Sequence, residues 1–126
     1  MSFDVYFQRF RNGESEPGGG DAMGEVLAAY LVREEPDRSF ARLEYDDGSA
    51  DIYLTPDAMK ADHVTGKEPW DLLVRGAKAA GCVILPVGCP ACITDASDRT
   101  HLPAGLDEDA ALVTTGNDLL RVIRRS

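Results

Sequence analysis

Residues 39–55 read Ser39-Phe40-Ala41-Arg42-Leu43-Glu44-Tyr45, then Asp46-Asp47-Gly48-Ser49, then Ala50-Asp51-Ile52-Tyr53-Leu54-Thr55. Both flanks alternate apolar with polar residues, which is the period of a half-buried strand. The Asp-Gly step between them supplies the positive φ angles of a tight turn. An antiparallel hairpin is expected here, with Ala41, Leu43, Ile52 and Leu54 facing inward.

Upstream, Phe3 to Phe10 is aromatic and β-branched and reads as a first strand. A glycine-rich loop follows over residues 11–20. Asp21 then suits a helix N-cap, and Met23, Val26, Leu27, Tyr30 and Leu31 recur at helical spacing until Pro36 stops the run. Downstream, Pro69 opens a second helix whose face carries Trp70, Leu73, Val74 and Ala77, and Gly81 suits its C-terminal left-handed residue. Cys82 to Val87 is an apolar run with the character of a buried strand. The stretch between, Pro56 to Gly66, predicts a helical turn at Asp57–Lys60 and a short extended piece at His63–Thr65. After the last strand come a turn or two of helix near Asp95–His101, a short strand at Leu112–Thr115, and over Leu119–Arg125 either a closing helix begun at Asn117 or Asp118 or an edge strand, the helix being favoured.

The order strand, helix, strand, strand, helix, strand predicts an α+β protein of the ferredoxin-like βαββαβ type, with two helices on one face of an antiparallel sheet. The 126 residues suit a single domain with one core. Its core spans about residues 1–88, and a C-terminal extension over about 89–126 wraps an edge or part of the open face.

Lys+Arg number 13 against 22 Asp+Glu, a formal net charge of −9. Such a surface repels phosphate backbones and argues against nucleic-acid binding. No apolar run approaches the roughly 20 residues of a membrane span. Residues 1–11 lack the layout of a signal peptide. A cytoplasmic location is expected, and the three clustered cysteines, Cys82, Cys89 and Cys92, fit a reducing compartment.

Cys89-Pro90-Ala91-Cys92 is the local motif with most chemistry. Two thiols at this spacing close a small disulfide or take two places around a tetrahedral metal, zinc being the natural choice. A helix starting at Pro90 would make Cys89 its N-cap and lower the thiol pKa. His101 and His63 are the remaining candidate ligands. Only one such cysteine pair exists, so buried structural thiols satisfy the same pattern, and no cofactor is required. Asp95, Ser97 and His101 contain the residue types of a hydrolytic triad without the surrounding nucleophile motif. The aspartates Asp46, Asp47, Asp51, Asp57 and Asp62 lack the spacing of a calcium loop and read as turn and surface residues.

By strand parity Tyr6, Gln8, Phe10, Phe40, Arg42, Glu44 and Tyr53 point away from the helices. Aromatic side chains on an uncovered sheet face mark a contact surface. Tyr6, Phe10, Phe40, Arg42 and Tyr53 are therefore candidate partner-binding residues. Their partner is another protein, a second copy in a homodimer, or the chain's own C-terminal segment.

Four stretches, Asp4-Val5-Tyr6-Phe7-Gln8-Arg9-Phe10, His63-Val64-Thr65-Gly66, Pro69-Trp70-Asp71-Leu72-Leu73 and Leu85 to Cys92, resemble a group of short, acidic, uncharacterised bacterial proteins. The resemblance spans most of the chain and implies no catalytic residue. In size and charge alone the chain is also similar to toxin-immunity proteins, which inhibit a basic partner. The leading expectation is a non-enzymatic, acidic protein-binding domain, of which an immunity-type inhibitor is one version. The alternative is a small metal-binding or thiol-redox protein built on Cys89 and Cys92.

Overall fold

The computed structural model describes residues 3–126, Arg38 by its backbone. Met1 and Ser2, which open the stretch read above for a leader, lie outside it. Among the described residues no helix is long and apolar enough to cross a membrane.

The fold is α+β, with a mixed sheet and flanking helices. β1 (Val5–Arg11) sits inside a sheet of nine strands. β2 (Glu14–Glu16) returns along its far end. β3 (Leu31–Glu35), β4 (Phe40–Tyr45), β5 (Gly48–Leu54) and β6 (Ala58–Asp62) form a meander that brings β6 beside β1. β7 (Val83–Pro86) takes the other side of β1, followed by β8 (Cys92–Ile93) and β9 (Ala111–Leu112). Every ladder is antiparallel except β8–β9.

The helices are α1 (Gly20–Leu27), α2 (Glu68–Ala80) and α3 (Gly116–Arg124). They bury one face of the sheet. Val5, Phe7, Leu43, Ile52 and Ile84 from the strands join Met23 and Leu27 of α1, Leu72 and Leu73 of α2 and Leu119 of α3 in one cluster. The face opposite carries Tyr6, Arg42, Tyr53 and Lys60. At its β7 end the C-terminal segment lays Ala91, Ile93, Leu102 and Ala110 over Val83, and Phe10, Leu85 and Leu106 pack against that second cluster. The extension therefore covers part of the open face, and α3 adds to the main core.

Several expectations need correction. The ferredoxin-like plan places one hairpin between the helices, whereas the chain has four strands there. Both neighbours of β1, β6 and β7, run antiparallel to it, which departs from a split βαβ pairing. The first helix ends at Leu27 and passes through a 3-10 turn, Ala28–Tyr30, into β3. Leu31 keeps its inward place as a strand residue opposite Leu43. Gly19 at φ 95, rather than Asp21, occupies the N-cap of α1. In the hairpin the left-handed residue is Asp46, at φ 53. Gly48 instead answers a close approach: a Cβ there would run into the carbonyl of Thr65.

The ends of α2 follow from the sequence. Gly81 takes φ 70 and its N–H donates to the carbonyls of Ala77 and Lys78. At the other end the Asp47 carboxylate accepts from the backbone N–H groups of Lys67 at 2.9 Å and Glu68 at 2.9 Å. Those two bonds hold the Asp47 carboxyl below its usual pKa. A carboxyl depressed in the folded state contributes stability that is present above the unfolded pKa and lost as pH falls through the folded one. Acid titration should therefore find the wild type losing its advantage over Asp47→Asn below about pH 4.

Candidate metal centre

Three strands of the open face set a row of charge. Arg42 on β4 lies directly opposite Asp51 on β5, and Asp51 lies directly opposite Asp62 on β6. Cross-strand partners sit side by side on one face, so a hairpin register one residue away would scatter them. His63 follows β6. Strand alternation would send its ring to the helix side, but its backbone is left-handed, φ 50. The ring instead meets both carboxylates. Its Nδ1 is 3.0 Å from Asp62 Oδ1 and 3.2 Å from Asp51 Oδ2. The segment beyond is tied to β5, because the Thr65 N–H donates to the Ser49 carbonyl at 2.8 Å and the Ser49 N–H to Thr65 Oγ1 at 3.0 Å.

The outer oxygens have separate partners. Arg42 donates to Asp51 Oδ1 at 3.2 Å, and Lys60 Nζ lies 3.3 Å from Asp62 Oδ2. Burial works to lower the Lys60 pKa, but the hydrogen bond to Asp62 and the charges of Asp4 and Asp62 outweigh it and leave the ammonium above its ordinary value. Lys60 also stands 4.5 Å over the Tyr53 ring. Both carboxylates are thus oriented from outside, while their inner oxygens converge on one nitrogen. The Asp62 side chain is only 8 % exposed and the His63 ring is 57 % exposed, so the group is anchored at one end and open at the other.

Among the described residues this is the cluster of three or more side chains with metal-ligand chemistry, and its ligand atoms lie within 4.8 Å of one another. Bonds of about 2.1 Å at tetrahedral angles put ligand atoms about 3.4 Å apart. The two nitrogen–oxygen separations of 3.0 and 3.2 Å already approach that spacing. A divalent cation such as zinc would sit between the imidazole nitrogen and the two inner carboxylate oxygens, with Arg42 and Lys60 holding the carboxylates from behind. Those two cations also reduce the negative charge of the site, so it attracts a metal less strongly than an unpaired carboxylate pair.

Of the four ligands expected from the sequence, only His63 belongs to this group. Cys89 and Cys92 lie on the other side of β1, around the β7–β8 turn. Cys89 heads no helix, because Cys92 and Ile93 form a strand, so the expected dipole at that thiol is absent. Its Sγ lies 3.6 Å from the Val87 carbonyl, and that of Cys92 lies 3.6 Å from the Pro90 carbonyl. Burial pushes the Cys92 thiol up to about 12 and that of Cys82 up to about 11. His101 Nδ1 accepts from the Asn12 N–H at 3.3 Å, beside the β1–β2 turn. The Ser97 hydroxyl donates to Asp95 at 2.8 Å, so Asp95, Ser97 and His101 form no relay. In the native protein Cys89 alone should react promptly with dithionitrobenzoate. Cys82 and Cys92 should respond only in denaturant, which a thiol count with and without guanidinium checks.

The expected partner-binding residues divide. Phe10 is taken up by the C-terminal cluster. The Phe40 and Tyr53 rings meet at a tilt with their centroids 5.1 Å apart, Tyr6 is 43 % exposed, and Arg42 is engaged with Asp51 and Ser49. By sequence alone Asp51 and Asp62 read as surface acids, whereas the structure brings them to His63 as candidate ligands. The signal that would have found them is the β5–β6 register.

No protein-family model, no curated protein and no solved structure matches the chain.

Proposed function

We propose that the chain is a small metal-binding protein in which Asp51, Asp62 and His63 hold a divalent cation, zinc in the first instance. The observation that supports this is the convergence of Asp51 Oδ2 and Asp62 Oδ1 on His63 Nδ1, in a group open to solvent on the imidazole side. The expectation of a thiolate site at Cys89 and Cys92 thereby moves to an oxygen–nitrogen site on the opposite half of the sheet. Equilibrium dialysis against zinc, followed by metal analysis, tests the reading. Stoichiometric zinc in the wild type and in Cys89→Ser/Cys92→Ser, with loss in His63→Ala, supports it. Zinc retained by His63→Ala and lost from the double cysteine variant contradicts it.

A second reading keeps the acidic protein-binding domain, of immunity type or otherwise. It is favoured by the aromatic shelf of exposed Tyr6 and half-buried Phe40 and Tyr53 together with the net charge of −9. Salt-sensitive capture of a basic protein, lost in Tyr6→Ala/Tyr53→Ala, would support that role.

A further inference from the structure

Because α1 stops at Leu27, the β3–β5 end of the sheet is only partly roofed. A groove of about 220 Å³ opens there. Leu27, Leu31, Ala41, Ile52 and Leu54 line it, and Gly24 of α1 faces it. Gly24 explains the gap. Its φ lies outside the left-handed region. A Cβ at this position would meet Leu54 Cδ2 at 3.5 Å, an ordinary contact. Neither conformation nor close packing calls for glycine, which weakens a helix relative to alanine. What the missing side chain leaves is space.

The rim carries a charge. Glu34 lines the groove beside Pro36 and Ser39. The neighbouring Arg33 is paired with Glu35 at 2.9 Å, and Glu34 is exposed with no ion pair among the described residues. An apolar recess with one carboxylate at its mouth selects by charge as well as by shape. The net charge of −9 adds a field that draws cations and repels anionic amphiphiles.

We propose that this groove binds a small amphiphilic amine, its apolar body against Leu31, Ala41 and Leu54 and its ammonium group on Glu34. The volume is below the roughly 300–1,000 Å³ of sites for drug-sized ligands, which limits the body to one ring or a short alkyl chain. The groove lies on the helix side of the sheet, away from Asp51, Asp62 and His63, so it stands independently of the metal reading.

Titration of the isotope-labelled full chain with benzylamine and with its neutral counterpart benzyl alcohol, followed by amide NMR, tests this. Benzylamine should produce saturable shifts centred on Gly24, Leu31 and Leu54, with a Kd of about 1 mM or tighter, the order a fragment of this size reaches. It should bind about threefold more tightly than benzyl alcohol, the factor an exposed ion pair supplies. Glu34→Gln should erase that preference and leave benzyl alcohol unaffected. Gly24→Leu should abolish both interactions. Gly24→Ala, which the backbone accepts, should weaken both while its melting temperature holds or rises, and it carries the test if the leucine variant does not fold. Absence of saturable shifts, equal affinity for the two probes, or unchanged binding in Gly24→Ala overturns the proposal.

Discussion

Asp62→Asn should lower zinc affinity by more than about 100-fold, because even removal of a residue behind a metal ligand costs about 10–100-fold. The substitution keeps the size of the side chain and an oxygen for Lys60, but removes the negative charge that a cation needs. It also replaces one of the two oxygens now facing His63 Nδ1 with either a neutral carbonyl or an amide donor. The fold should persist, since Lys60 retains the face of Tyr53 at 4.5 Å. Calorimetric zinc titration alongside circular dichroism separates the two effects. Arg42→Gln provides the contrast. It frees Asp51 Oδ1 from its 3.2 Å partner and reduces the local positive charge, so zinc binding should be kept or tightened.

Gly48→Ala should destabilise the protein by about 3 kcal/mol, the upper end of the range for overpacking, because the atoms in the way are backbone. The added Cβ would meet the carbonyl of Thr65 and then the Cα of Gly66 at 3.0 Å. Relief requires the 63–66 segment to move off β5. That breaks the 2.8 Å bond from Thr65 to Ser49 and strains the Asp47 cap on Lys67 and Glu68. His63 rides on the same segment, so metal affinity should fall together with stability. Gly88→Ala is the control. A Cβ there meets nothing within 4 Å, and only its φ of 75 opposes the change, a cost of about 1 kcal/mol. Thermal unfolding should place Gly48→Ala about 10 °C or more below the wild type and Gly88→Ala only a few degrees below.

Legibility of the fold tracked how strongly each segment declared a period. β1, the β4–β5 hairpin and α2 could be read directly, since their apolar residues repeat every two or every three to four positions. For α3 the sequence leaves helix and edge strand open, and the Thr115 and Asp118 capping box decides for the helix. β6 was missed. Ala58-Met59-Lys60-Ala61-Asp62 contains no β-branched or aromatic residue, and it is a strand because β5 and β1 pair with it on both sides. β3 was read as the tail of a helix, since Leu31 continues the helical spacing of Leu27. Its partner β4 decides the matter. The cluster of Asp51, Asp62 and His63 is hidden for the same reason. Asp51 and Asp62 become neighbours only through a register that includes β6, so His63 was singled out while its companions were read as solvated acids. Cys89 and Cys92 drew attention by spacing alone, but a helix start at Pro90 was needed to activate them, and β8 occupies that place.

In the proposed site His63, through Nδ1, holds a metal with Asp51 and Asp62. Long-range proton–nitrogen NMR of the two imidazoles during zinc addition tests it most directly. His63 Nδ1 should shift to the position of a metal-bound nitrogen while both nitrogens of His101 stay in place and the native thiol count is unchanged. A zinc-induced change at His101, or loss of the reactive thiol with His63 unmoved, would contradict it.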